Sequence, residues 1–131
     1  PIAESKYSRQ KVSNVLPLAA KCNSMVHILG LVTSNDKADV AKFNIKLDTV
    51  EDVVKKAGLA FVRKVVKGSN IAMEAMKYSE EVNAELLAIM TDHESNMTGM
   101  FMGAFARQIV NHSNVPVLSI KPISGPYESA A

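Results

Sequence analysis

Two short apolar runs, Ala84-Glu-Leu-Leu-Ala-Ile-Met90 and Val115-Pro-Val-Leu-Ser-Ile120, flank a polar loop and the helix-period segment Gly103-Ala-Phe-Ala-Arg-Gln-Ile-Val-Asn-His112. Strand-length runs joined through a helix pair in parallel, since antiparallel neighbours need only a tight turn. The stretch therefore reads as a βαβ unit. Ligands in open α/β sheets sit beyond the carboxyl ends of the strands, so the loop from Thr91 to Met102 is the expected ligand position.

The chain ahead of this unit repeats the alternation. Pro1-Ile2-Ala3 reads as the end of a strand, followed by the turn-like Glu4-Ser5-Lys6-Tyr7. Ser8 is placed to cap a helix reaching Lys21, with Val12, Val15, Leu16 and Ala19 on one stripe and a kink expected at Pro17. Met25 to Val32 is almost unbroken in its apolar character, as befits a parallel strand covered on both faces. Val40, Phe43, Leu47, Val50, Val54 and Ala57 then recur at helical spacing, with Gly58 as the stop and Asn44, Asp48 and Thr49 as points where the helix could be interrupted. Leu59 to Val66 carries Arg63 and Lys64, which suits an edge strand. Ile71, Ala75, Tyr78 and Val82 line one face of a further helix. The order is that of a doubly wound α/β domain over residues 1–123, with residues 124–131 expected as a frayed tail.

Composition removes several classes of function. The 131 residues, 47% of them hydrophobic, suffice for one domain with a real core. The fifteen Lys and Arg residues are scattered and the net charge is only +2, so nucleic acid is not implied. No apolar run approaches the roughly 20 residues of a membrane span, and no signal-peptide layout is present. The lone Cys22 allows no internal disulfide and is expected as a packing residue in a reducing, cytoplasmic setting.

The segment Gly103 to Ile120 resembles the last helix and strand of the universal stress protein family, with Ala84 to Met90 similar to its fourth strand and Val26 to Val32 to its second. That resemblance implies a flavodoxin-like, adenine nucleotide alpha hydrolase-like sheet of strand order 3-2-1-4-5. It also implies dimers built through the last strand, here Pro116, Val117, Leu118, Ser119 and Ile120. ATP-binding members of the family carry Gly, two residues, Gly, nine residues, then Gly and a Ser or Thr after the fourth strand. Glycines let backbone N–H groups approach phosphate, and the helix N-terminus adds positive potential. Counted back from Gly103, the corresponding positions here are Met90, His93, Gly103 and Ala104. The family's adenine-receiving aspartate, at the end of the first strand, corresponds to Ala3. The resemblance thus implies a degenerate nucleotide site bounded by Ala3, Val32, Met90, His93, Gly103, Ala104 and Phe105, with no cofactor expected.

Other candidates carry a bland reading beside the functional one. Asp92-His93-Glu94 is either a metal or general-base cluster or a solvated loop, and His27 and His112 offer no spacing to complete a zinc site. His112 fits a helix end. Met90, Met97, Met100 and Met102, with Phe101, either fill the vacated cleft or form a surface for a protein partner at residues 97–102. No serine sits in a nucleophile motif, so no enzyme is expected. The leading expectation is a dimeric stress-response domain that works by protein association without ATP. The alternative is a nucleotide binder with an altered phosphate loop. A third reading, one module of a longer chain, comes from the strand stub at Pro1.

Overall fold

The computed structural model describes residues 1–3, 8–91 and 103–123. Eight elements alternate along it: α1 (Ser8–Lys21), β1 (Val26–Val32), α2 (Lys37–Lys56), β2 (Phe61–Lys67), α3 (Ile71–Glu81), β3 (Leu87–Met90), α4 (Ala104–His112) and β4 (Val117–Ile120). The strands form two parallel ladders. β1 pairs with β2 in the register Val26 opposite Phe61, and β3 pairs with β4 with Leu87 opposite Val117. Ile2 adds a parallel bridge to Gly30, its N–H donating to the Leu29 carbonyl at 2.7 Å and its carbonyl accepting from Leu31 N–H at 2.8 Å. The expected first strand is thus present only as this stub.

Helices cover both faces, which explains the near-continuous apolar character of β1. Ile2, Ile28, Val32, Phe43, Leu47, Val50 and Val54 make the core beneath α1 and α2, whereas Leu29, Leu31, Ala75, Tyr78, Leu87, Ile89 and Ile109 make the one beneath α3 and α4. Fully burying side chains such as Leu47, Ile89, Ile109 and Val54 contributes about 1.5–3 kcal/mol each. Gly30 is small for a reason, because a Cβ built there would stand 2.8 Å from Leu47 Cδ1.

Several expectations are refined. α1 runs through Pro17 without interruption. Proline removes the bond to the Ser13 carbonyl, but both residues are exposed, so water can serve that oxygen. One turn earlier the Asn14 side chain donates to the Gln10 carbonyl at 2.8 Å. Ser8 is the first helical residue, not the one ahead of it, and its hydroxyl donates to the Ala3 carbonyl at 3.4 Å. α2 is continuous, since Asn44, Asp48 and Thr49 all lie on its exposed side. β4 begins at Val117 and not at Val115 because Pro116 has no N–H for the ladder; its carbonyl accepts from Leu87 N–H at 2.8 Å. Cys22 is exposed, contrary to its expected packing role. The Glu4–Tyr7 turn, Asp92-His93-Glu94, the methionines of 97–102 and the 124–131 tail lie outside the described residues. Among the described residues no helix is long and apolar enough to cross a membrane.

Candidate functional site

Parallel strands bring their carboxyl ends to one edge, and the chain places most of the expected site residues there. Val32 is the last residue of β1, buried, with its carbonyl accepting from Gly68 N–H at 3.2 Å. Ala3 follows the Ile2 bridge on the neighbouring position. Met90 ends β3 and is 9% exposed, so its thioether is buried at this edge. Thr91 continues the ladder, its N–H donating to the Ile120 carbonyl at 2.9 Å. Gly103 is buried at the start of α4, with Ala104 exposed and Phe105 half-buried behind it. His93 lies outside the described residues.

The electrostatics of this edge are mild. The N-terminus of α4 has no side-chain cap and no acidic residue in its first turn, which leaves the positive end of the helix dipole uncompensated by its own residues. Ala104 offers no hydroxyl there. Gly103 adopts φ −48°, a value open to any residue, so the glycine is not demanded by the local backbone. On the other side of the edge, Ser34 donates to Asp39 at 3.0 Å, Asp36 caps α2 through Ala38 N–H at 2.8 Å, and Lys67 is bonded to Asn35. These polar groups spend their capacity on turns and caps.

Two features escaped the reading of the sequence. Gln10, buried in α1, makes a two-way amide clamp with Ile123, donating through Nε2 and accepting through Oε1 at 2.8 Å each, and so ties the chain after β4 onto the first helix. Lys11 is also buried; its ammonium donates to the Pro1 carbonyl, and burial, aided by the charge of Lys46, lowers its pKa to about 8. A signal was available for Lys11. Carried back one turn, the stripe of Val12, Val15, Leu16 and Ala19 falls on Ser8 and Lys11, so helical period alone placed polar residues on the covered face.

The remaining candidates lie away from the edge. His27 is hydrogen-bonded through Nδ1 to the Tyr78 hydroxyl at 2.9 Å, near the amino ends of the strands, with the Lys64 ammonium 5.1 Å from the Tyr78 ring centroid. His112 is exposed in the last turn of α4. Neither imidazole faces the carboxyl edge together with a hydroxyl or thiol, so the described residues assemble no nucleophile and base there. Pro116 and Ser119 are exposed, and Val117, Leu118 and Ile120 are half-buried. They form an edge strand whose described ladder partner is β3.

Solved structures with the same architecture include a universal stress protein from Archaeoglobus fulgidus (TM-score 0.77, 16% identity, 92% of this chain and 94% of that one covered). A universal stress protein in complex with cAMP superposes with TM-score 0.71 at 20% identity over 92% of this chain and 93% of that one. A universal stress protein family protein from Arabidopsis thaliana with AMP bound does so with TM-score 0.64 at 14% identity over 88% and 78%. At such identities the likeness establishes the fold. No curated protein matches the sequence closely enough to count as a relative. The universal stress protein family itself is matched over residues 1–121, and the chain belongs to that family.

Proposed function

We propose that this domain serves in stress response as a cytoplasmic homodimer that works by protein association, without binding ATP and without catalysis. Met90 carries the reading: its buried side chain occupies the first glycine position of the family's phosphate loop. Ala104 replaces the hydroxyl and Ala3 the aspartate, so the described positions at both ends of a nucleotide lack the groups that would hold it. These residues do not fit a triphosphate cradle, and no chemical step is assigned through one. On this reading the Ile2 stub counts as strand one of a 3-2-1-4-5 sheet; the β1–β2 and β3–β4 ladders and the bridge from Ile2 to Gly30 support it. β4 at its end supplies the dimer edge through Pro116, Val117, Leu118, Ser119 and Ile120. The Met-rich stretch 97–102, outside the described residues, is the proposed contact for a protein partner.

The second reading is a nucleotide binder with an altered loop. It is favoured by the uncapped N-terminus of α4 and by the AMP and cAMP held by two proteins of the same fold. One experiment separates them. The chain has no Trp and three Tyr, so co-purified adenine nucleotide would show as a pronounced absorbance excess at 260 nm. The expected spectrum lacks it, and ATP with magnesium is expected to leave the melting temperature in place. A ligand present at about 100 times its Kd stabilises by about 2.7 kcal/mol, which a melting curve resolves easily. A shift of that size would overturn the first reading in favour of the second.

A further inference from the structure

The chain after β4 is fastened at two points. Ile120 C=O accepts from Thr91 N–H at 2.9 Å, which fixes the end of the strand beside β3. Three residues later both ends of the Gln10 amide hold Ile123, Nε2 donating to its carbonyl and Oε1 accepting from its N–H, each at 2.8 Å. Extended chain of that length spans about 10 Å, or about two strand spacings, so Lys121, Pro122 and Ile123 bridge from the end of β4 past β3 to the first turns of α1. Gln10 is 7% exposed, and its amide has little access to water while it is engaged. The family match covers residues 1–121, and the fastened residue lies beyond it.

Met90 stands where this crossing begins. Leu87 and Ile89 of β3 enter the core beneath α3 and α4, so strand alternation turns Ala88 and Met90 to the opposite face, the one on which α1 packs against β3. Across the ladder Met90 is paired with Ile120, the last residue before the crossing. It is 9% exposed yet belongs to neither of the two cores, so core packing does not account for its burial. We propose that residues 121–123 are a strap, latched by Gln10, that closes the α1 side of the carboxyl edge over Met90. Lifting Ile123 breaks both hydrogen bonds of one amide together, which makes the strap a device with two positions instead of an end that frays by degrees. Closed, it shuts the approach to the end of β3 from the α1 side; open, it admits solvent or a ligand there. The device acts whether or not the edge holds a nucleotide.

The test treats the full chain with hydrogen peroxide, which delivers one oxygen to a thioether and leaves as water, and follows each methionine by peptide mapping. In the wild-type chain Met90 is expected to oxidise at least about tenfold more slowly than Met73, which is 56% exposed, and Ile123 N–H to be protected from hydrogen exchange although its side chain is exposed. Gln10→Leu keeps the bulk and removes both bonds; it is expected to speed Met90 oxidation about tenfold and to abolish the protection of Ile123. Gln10→Asn, which keeps an amide but shortens its reach, is expected to act in the same direction. Val54→Ala, which leaves a cavity at the far end of α2, is expected to leave both readouts near their wild-type values. An unprotected Ile123 in the wild-type chain overturns the latch. Met90 oxidation at the rate of Met73, or at an unchanged rate in both Gln10 variants, overturns the strap as its cover. Equal acceleration by Val54→Ala would mean that Met90 is reached through global unfolding, and that too overturns the proposal.

Discussion

Gly30 shows how much a single position of β1 is asked to do. It sits opposite Ile2 in the bridge and under Phe43 and Leu47, and a Cβ there would lie 2.8 Å from Leu47 Cδ1 and 3.2 Å from Phe43 Cε1. Leu47 is fully buried, so its Cδ1 would have to shift within the core to make room. Gly30→Ala is expected to destabilise by about 1–3 kcal/mol, the usual cost of overpacking. Urea denaturation checks this, and an unchanged midpoint would mean that Leu47 has room the packing does not reveal. The places of Met90 at the end of β3 and of Ala104 at the start of α4 were legible, because strand and helix period could be counted on either side of the loop. Gln10 was not, since it lies off the Val12–Ala19 stripe and a polar residue in a helix reads as solvated until a neighbouring segment, here Ile123, is folded over it; for Lys11 the period showed the covered face but not its partner, Pro1.

The helices differ in how their ends are held. α2 starts on Asp36, whose carboxylate accepts from Ala38 N–H at 2.8 Å, and α3 on Asn70, which accepts from Met73 N–H at 3.1 Å. α4 starts on Gly103 with no side-chain cap. Asp36→Ala is therefore expected to cost about 1 kcal/mol, the typical worth of an N-cap. Equilibrium unfolding is the measurement, and a loss below a few tenths would show that water serves Ala38 equally well. α2 is also pinned to β2: Arg63 donates to Asp48 at 2.6 Å and to Glu51 at 3.0 Å, across the exposed side where Asn44, Asp48 and Thr49 looked like interruptions. Those polar residues break no helix because Phe43, Leu47, Val50 and Val54 carry its burial on the other side.

At the scale of the whole molecule, the proposed assembly runs through β4, whose described ladder partner is β3. Dimerisation through this edge predicts that the wild-type chain sediments as a dimer. Leu118→Lys, whose stem can lie along the sheet while its charge opposes pairing, should sediment as a monomer with little change in melting. A dimer in the variant would place the interface elsewhere. The alternation of strands and helices, the burial of β1 on both faces, the edge character of β2 and the family membership were all present in the sequence, because hydrophobic period and local spacing encode them directly. Helix continuity through Pro17, the shortening of β3 and β4 and the exposure of Cys22 were not. Each depends on what surrounds a residue in space: the exposed side on which Ser13 and Pro17 lie, the Pro116 carbonyl that receives Leu87 N–H, and the open surface around Cys22.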